Sequence, residues 1–239
     1  MSPNTTLQEL FGDISDLSDE ECDESSGHVI EHPQIRGLLQ LSNPLSPDLT
    51  QSLVPLLHTL FDVQNGANQA MRFGANLPPF LAPLLSIGAT LLPPHLSQRT
   101  PAFDSMIANY YQPGQGICSH VDLARFEDGV VVFSFISALV MDFTYVGGDG
   151  ATAGYTRANE PSLLDSVPVL LESGSGICLT GEARFKWAHG IAERQQDLFE
   201  GMRIQRKQRI SITLRKLKPN QSDTAVYSMS DSVVRDAEH

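Results

Sequence analysis

Seven short segments between residues 103 and 218 read as β-strands, and Gly and Pro residues punctuate the sequence between them. Many short strands with this punctuation predict a mainly β (α+β) fold, either a sandwich or a barrel. The strand pattern therefore constrains the fold more than any other feature of the chain. The predicted strands cover residues 104–111, 117–122, 130–136, 138–145, 167–171, 176–180 and 208–217.

The second predicted strand carries a His-X-Asp pair. His120 and Asp122 are two residues apart, so on a strand both side chains lie on one face. An imidazole beside a carboxylate supplies two ligands of the 2-His-1-carboxylate site of non-haem Fe(II) oxygenases. His189, beside a later apolar segment, can supply the third. The alternatives are a chance pair with a structural histidine, or the three-ligand zinc site of a hydrolase.

The last predicted strand has one polar and one apolar face, because every second residue is Ile or Leu. Two arginines on one face of a buried strand need anionic partners, since an unpaired buried charge is unfavourable. A dicarboxylate such as 2-oxoglutarate would satisfy one of them through a bidentate pair. The alternatives are an exposed strand with ion pairs, or a zinc site, which needs no such anchor. The polar residues are Arg209, Ser211, Thr213 and Arg215.

The order of these motifs resembles the AlkB family of Fe(II)/2-oxoglutarate dioxygenases. The resemblance runs from about residue 103 to 218, roughly half of the chain. Within the family, the chain is most similar to the animal and plant branch fused to a tRNA wobble-uridine methyltransferase. The segments YQPGQGICSHVD, FEDGVVVFSFISALVMDF and TGEARFKWAHGI carry this similarity. The resemblance narrows the expected fold to a double-stranded β-helix, a relative of the jelly roll.

The resemblance also implies a cofactor and a set of binding residues. Fe(II) is the expected metal, and 2-oxoglutarate and O2 are the expected cosubstrates. His120, Asp122 and His189 are then the Fe(II) ligands. Arg209 is expected to form a salt bridge with the distal carboxylate of 2-oxoglutarate. Ser211 stands where the bacterial prototype has Asn, so its shorter hydroxyl departs from the family pattern. The further residues expected at the cosubstrate are Asn109, Tyr111, Ser211, Thr213 and Arg215.

The resemblance implies oxidation of an alkyl group on a nucleic-acid base. The branch favours hydroxylation of the side chain of a modified wobble uridine in tRNA. Oxidative demethylation of N-alkylated DNA or RNA bases is the alternative, and oxidation of a protein comes third. A non-catalytic scaffold is a hypothesis of another class, and the intact ligand set argues against it. Transfer RNA is thus the expected partner, with a methyltransferase or adaptor protein as a further candidate.

The net charge of −12 is unevenly distributed. Residues 1–32 hold nine acidic residues and no Lys or Arg, whereas residues 182–218 hold ten basic and four acidic residues. The basic block lies beside the proposed site in sequence, so several of its side chains could meet phosphates; a solvated surface is the alternative. The expected substrate contacts are Arg194, Arg206 and Lys207 from this block, and Met71, Arg72 and Phe73 from a segment resembling the substrate side of AlkB homologues.

The chain is predicted to contain one folded domain between two tails. Residues 1–32 are acidic, Ser-rich and poor in large apolar residues, which predicts disorder. The dioxygenase domain covers residues 33–218, with helical and substrate-side support over 33–102 and the catalytic core over 103–218. Ser46 and Pro47 predict the start of a helix that runs to about residue 61, and a second helix is expected over 77–92. Residues 147–166 read as a surface loop, and 219–239 as a polar tail.

Cysteine usage and hydropathy bear on the compartment. The three cysteines, Cys22, Cys118 and Cys178, include no C-X-X-C pair, and reduced thiols are the simplest interpretation. No uninterrupted apolar run reaches the ~18–20 residues of a membrane helix, and no secretory signal is recognised. We therefore expect a cytoplasmic or nuclear protein without a membrane partner.

Overall fold

The computed structural model describes residues 29–41, 45–62, 67–147 and 166–219. Two antiparallel sheets face each other across an apolar core. In spatial order, the larger sheet contains β1 (Val29–Glu31), β2 (Leu38–Leu41), β9 (Gly176–Leu179), β6 (Val130–Phe135), β13 (Arg209–Arg215), β4 (Ser105–Tyr111) and β3 (Gln69–Phe73). The smaller sheet contains β5 (Ile117–His120), β10 (Trp187–Ile191), β7 (Leu139–Tyr145) and β8 (Ser166–Leu171). A separate ribbon pairs β11 (Gln196–Phe199) with β12 (Met202–Gln205).

This arrangement confirms the mainly β prediction. All seven predicted strands are present, with ends that differ from the prediction by at most two residues. β6 and β13 are buried almost throughout because both faces of the larger sheet are covered there. A sheet that is buried on both faces requires a packed layer on each side.

Two separate cores explain why β13 has two different faces. Ile210, Ile212 and Leu214 belong to a core that also contains Leu53 and Leu84, so this face packs beneath helices. The other face of β13 looks toward the smaller sheet, across the second core. The alternation along β13 therefore directs its polar residues into the space between the sheets.

The first predicted helix is confirmed as α1 (Pro47–His58). The Ser46 hydroxyl accepts a hydrogen bond from the Leu49 backbone amide at 3.2 Å, and Pro47 occupies the first turn, as an N-capped start requires. The second predicted helix begins later than expected, as α2 (Ala82–Leu91) after a 3-10 turn over Pro79–Leu81. The reason is that Pro78 and Pro79 disfavour helical backbone in the residues that precede them. Two short helices, α3 (Pro94–Ser97) and α4 (Gly181–Phe185), are the other α-helices of the described residues.

The structure corrects the predicted boundaries at two points. Val29–Glu31, assigned to the disordered tail, forms strand β1 and pairs with Leu39–Leu41 of β2. Residues 33–102 are not only helical, because β2 and β3 join the larger sheet beside β9 and β4. The remaining parts of the predicted tails and loop, residues 1–28, 148–165 and 220–239, lie outside the described residues.

Candidate functional site

A row of polar side chains crosses the larger sheet on the face that looks toward the smaller sheet. In register, Gln69 of β3 lies opposite Asn109 of β4, which lies opposite Ser211 of β13, and Ser211 lies opposite Ser134 of β6. The Gln69 side-chain amide donates a hydrogen bond to the Asn109 side-chain oxygen at 2.7 Å. Polar groups in a sheet interior are favourable only where they bind one another or a ligand.

Arg209 lies two residues before Ser211 on the same face of β13, opposite Tyr111. Its side chain is 1% exposed, and its guanidinium centre lies 5.5 Å from the Tyr111 ring centroid. Nη2 donates to the Ser134 hydroxyl at 2.8 Å, whereas Nε and Nη1 have no hydrogen-bond partner. Burial lowers the pKa of Arg209 to about 10, so the group is still charged at neutral pH. A buried cation with two unused donor nitrogens is suited to an anionic ligand.

Arg215 occupies the other end of the same strand face. Its guanidinium centre lies 3.9 Å from the Phe126 ring centroid, and Nη1 is 4.0 Å from Oδ1 of Asp122. Nε and Nη2 have no hydrogen-bond partner, and burial lowers the pKa of Arg215 to about 10. Arg215 therefore connects the arginine strand to the His-X-Asp segment.

The three residues predicted as metal ligands are neighbours. His120 of β5 lies opposite His189 of β10, with their ring centroids 4.6 Å apart. Nε2 of His189 is 3.8 Å from Oδ2 of Asp122. Nδ1 of His120 is 2.9 Å from the carbonyl oxygen of Cys118 on its own strand. Within the described ranges, no group of three His, Cys, Asp or Glu residues has donor atoms converged as in a formed metal site. The structure thus shows adjacency of the three residues without a closed ligand set.

The electrostatics of this group suit metal ligation. Burial alone would raise the pKa of Asp122, but the nearby charges of His189, Arg184 and Arg215 outweigh it and lower that pKa. Burial, with the adjacent His120, lowers the pKa of His189 to about 4. At neutral pH the site therefore presents an ionised carboxylate and a neutral imidazole, which are the forms that bind metals.

A cavity of about 220 Å³ connects these groups. Its wall includes all nine residues that were predicted as metal or cosubstrate ligands. The cavity fits an Fe(II) ion and a dicarboxylate by two observations: two imidazoles and a carboxylate share one wall, and the unpartnered guanidinium nitrogens of Arg209 and Arg215 share another. The nine are Asn109, Tyr111, His120, Asp122, His189, Arg209, Ser211, Thr213 and Arg215.

The residues predicted to contact substrate are only partly near the cavity. Met71 lines the cavity, but Arg72 and Phe73 do not. Lys207 is exposed and is also absent from the cavity wall.

The prediction that Arg206 meets phosphate is wrong. Arg206 is 4% exposed, and it donates two hydrogen bonds to the carboxylate of Asp197, at 2.7 Å each. Arg194 is partly exposed, but it is also paired with Asp197, at 2.6 Å, and lies 3.6 Å from Asp142. Arg184, Arg209 and Arg215 are buried as well, so four of the ten basic side chains of the block do not lie on the surface. Counting charges along the sequence could not reveal this.

Several residues of the site were missed by the sequence analysis. Ser134 binds Arg209, Gln69 binds Asn109, and Leu123 lines the cavity although its side chain is exposed. Met141 lines the cavity from the smaller sheet. The signal for Ser134 was present, since it is the one hydroxyl in the apolar VVVFSF strand, whereas Gln69 carried no signal before its strand was known.

Comparisons with known proteins agree with this geometry. A family model described as the 2OG-Fe(II) oxygenase superfamily matches residues 39–215, a range that contains every residue of the cavity wall. The solved structure of OsALKBH1 has a TM-score of 0.50 at 13% identity and covers 79% of this chain and 100% of that chain. That likeness shows a shared fold.

Two curated relatives are informative. The tRNA (carboxymethyluridine(34)-5-O)-methyltransferase alkbh8 of Xenopus tropicalis is 32% identical over 146 residues, which are 54% of this chain and 21% of that protein. The alkylated DNA repair protein ALKBH8 homolog of Arabidopsis thaliana is 28% identical over 148 residues, 59% of this chain and 42% of that protein. The chain thus spans less than half the length of both relatives. No helix among the residues that the structure describes is long and apolar enough to cross a membrane.

Proposed function

Because the chain belongs to the 2OG-Fe(II) oxygenase superfamily and its relatives are AlkB homologues, we propose that it hydroxylates the side chain of a modified wobble uridine in tRNA. The family implies Fe(II) as cofactor and 2-oxoglutarate and O2 as cosubstrates, so the chain is a dioxygenase. The observation that carries the proposal is the cavity in which His120, Asp122 and His189 lie across from two incompletely bonded arginines.

In this proposal, one set of cavity residues binds the metal and another set binds the cosubstrate. His120, Asp122 and His189 hold Fe(II), and the opposite wall holds 2-oxoglutarate. Arg209 pairs with the distal carboxylate through its unused Nε and Nη1, while Ser134 keeps its guanidinium in place. Arg215 supports the metal-bound end of the cosubstrate from its position beside Asp122.

The polar row orients the cosubstrate further. Asn109 and Tyr111 hydrogen-bond it from β4, and Gln69 fixes the orientation of the Asn109 amide. Ser211 and Thr213 line the same wall of the cavity.

Bound iron and cosubstrate supply the oxidising power that breaks a C–H bond of the substrate, with succinate and CO2 as co-products. The protein therefore contributes binding, orientation and exclusion of water, and no strong acid or base is required. The cavity wall agrees with this division, because its residues outside the ligands and anchors are mostly apolar: Met71, Ile107, Ile117, Val121, Leu123, Val132 and Met141.

The names of the two relatives suggest two candidate substrates. The Xenopus protein is named for a modified uridine at tRNA position 34, which supports a uridine side chain as the target. The Arabidopsis protein is named for alkylated DNA repair, which supports demethylation of N-alkylated DNA or RNA bases as the second candidate. For either base, the target must be unstacked to reach a cavity between two sheets. A methyltransferase or adaptor protein is a proposed partner in the first case, because the uridine must be modified before it is oxidised.

The test is nucleoside mass spectrometry of total tRNA incubated with the purified protein, Fe(II), ascorbate and 2-oxoglutarate. Loss of the methoxycarbonylmethyl wobble uridine, with gain of its hydroxylated form, is expected for the wild type and not for His120→Ala. If tRNA is unchanged while succinate is still released, the uridine assignment fails and the same assay on methylated DNA and RNA oligonucleotides decides the second candidate.

A further inference from the structure

Arg184 of α4 is a buried arginine that pairs with no carboxylate of the described residues. Its side chain is 1% exposed. Nη1 donates to the carbonyl oxygen of Asp122 at 3.0 Å, and Nη2 donates to the carbonyl oxygens of Leu123 at 2.9 Å and Phe126 at 3.4 Å. All of these hydrogen bonds go to neutral carbonyls, and only the charges of Asp122 and Asp128, neither within ion-pair distance, offset the unfavourable burial of the guanidinium, so its position calls for a specific role.

Residues 121–125 lie outside the ladders, and the next bridged residue is Phe126, which pairs with Leu217 just beyond β13. Strand β5 ends at His120, so Asp122 lies two residues beyond the last residue of the ladder. The pairing of β5 with β10 is also irregular, with a register shift between His189 and Ile191. Ladder hydrogen bonds therefore do not fix the backbone of Asp122, and the Arg184 side chain takes the place of a strand partner.

The helix that carries Arg184 is itself firmly anchored. The backbone amide of Gly181 donates to the carboxylate of Asp128 at 3.0 Å, and that of Ala183 donates to the Arg36 carbonyl at 3.0 Å. Five residues after Arg184, the chain reaches His189 in β10. One side chain thus joins the segment that carries Asp122 to the segment that carries His189.

We propose that Arg184 is a positioning residue for the metal site, which fixes the Asp122 carboxylate beside His189 by holding the carbonyls of Asp122 and Leu123. This inference rests on the proposed function, in which Asp122 and His189 are metal ligands. Arg184 does not touch the metal. Its planar fork is essential to the role, because the compact ammonium of lysine cannot reach two carbonyls with the same geometry.

The test is a titration with Co(II), in the absence of 2-oxoglutarate, followed by the visible absorption of bound Co(II). Arg184→Lys and Arg184→Ala are expected to bind Co(II) about 10- to 100-fold more weakly than the wild type, the usual effect of losing a group that orients a ligand. The matched control is Arg206→Lys, since Arg206 is equally buried but binds Asp197 on the ribbon. Its Co(II) affinity should equal that of the wild type.

A rescue experiment separates positioning from general damage. Guanidinium ion, added to Arg184→Ala far below denaturing concentrations, should restore both the affinity and the shape of the Co(II) spectrum. It should have no effect on the Arg206→Lys control.

The outcomes are distinguishable. Equal Co(II) affinity of the wild type and a folded Arg184→Lys would overturn the inference and leave the metal site intact, and so would an equal loss in the Arg206→Lys control. If Arg184→Ala does not fold, as circular dichroism would show, the lysine variant decides. If the wild type and His120→Ala bind Co(II) alike, the proposed metal site itself fails, and the role of Arg184 fails with it.

Discussion

At the scale of single residues, the part of the chain that the structure describes holds four buried arginines, and their hydrogen bonding differs. Arg206 is bound to a carboxylate, and Arg184 is bound to backbone carbonyls. Arg209 and Arg215 each retain two nitrogens without a partner. Arg184 leaves only its Nε without a partner. Because burial is similar for all four, the difference reflects function: the two arginines that each leave two nitrogens unpartnered line the cavity, where a ligand can bind them.

Arg209→Met should therefore have two opposite effects. Affinity for 2-oxoglutarate should fall at least about tenfold, because a charge-assisted pair is lost. The free energy of unfolding without ligand should rise by about 1 kcal/mol, because an unpaired buried charge is removed. Calorimetric titration with 2-oxoglutarate in the presence of Mn(II), and urea unfolding, measure the two quantities.

Arg206→Met is the control for that experiment. It should lower the free energy of unfolding by about 3 to 5 kcal/mol, because it leaves Asp197 buried without its main partner. An unchanged 2-oxoglutarate affinity in Arg209→Met would remove Arg209 from the cosubstrate site.

At the scale of elements, the ribbon β11–β12 is attached to the smaller sheet through Asp197. This carboxylate accepts hydrogen bonds from the Val140 backbone amide at 3.0 Å, from Arg194 at 2.6 Å and from Arg206 at 2.7 Å. Burial alone would raise the pKa of Asp197, but the hydrogen bonds from Arg206, Val140 and Arg194 outweigh it and lower that pKa below its usual 3.8.

The lowered pKa predicts a pH dependence of stability. A carboxyl group whose folded pKa is depressed stabilises the fold above its unfolded pKa, and this contribution is lost as the pH falls through the folded pKa. Asp197→Asn should thus destabilise the protein at pH 7, with a smaller stability difference from the wild type below a pH of about 3.8. Urea unfolding at several pH values measures this, and a difference that stays constant with pH would contradict it.

Gly190 determines how closely β5 approaches β10. A Cβ atom at Gly190 would lie 2.8 Å from the Cα atom of Ser119, which is too close for the backbones to stay in place. Gly190→Ala should push β5 away and separate His120 from His189. We expect Co(II) affinity to fall at least about tenfold, by analogy with other disturbed ligand supports. Wild-type Co(II) affinity in this variant would show that the strands tolerate the shift.

Alternation shows best in the longest strands, β13 and β4, which have seven residues each. Length alone does not decide the outcome, since the four-residue strands β5 and β9 were predicted and the five-residue strands β3 and β10 were not. The proposed ligands and the cosubstrate anchor followed from motif order, since His120, Asp122 and Arg209 lie in recognisable patterns. Arg206 was misjudged because its partner, Asp197, faces it only once β11 and β12 pair. The sequence pattern shows neither this hairpin nor the buried contact between its two side chains.

At the scale of the whole molecule, the site is divided between the two sheets. His120 and His189 belong to the smaller sheet, whereas Asn109, Arg209 and Arg215 belong to the larger one. A metal bound by the histidines and a cosubstrate bound by the arginines would together connect the two sheets. Ligand binding should therefore stabilise the global fold and not only a loop.

This division predicts a linked thermal shift. Mn(II) and 2-oxoglutarate together, each at about 100 times its dissociation constant, should stabilise the fold by at least ~2.7 kcal/mol, which raises the melting temperature by roughly 5 °C or more. Removal of metal with a chelator should reverse most of the shift. His120→Ala should lose it, and an equal shift in that variant would place the metal elsewhere.

The cavity wall contains two thioethers, Met71 and Met141, beside the proposed iron ligands. Methionine sulfur is readily oxidised to the sulfoxide, which turns an apolar wall residue into a polar one. Turnover without the proposed nucleic-acid substrate should thus damage the enzyme itself, and peptide mass spectrometry should find an added oxygen on these two methionines first. The working lifetime of the enzyme would then depend on how rarely it turns over without a bound substrate.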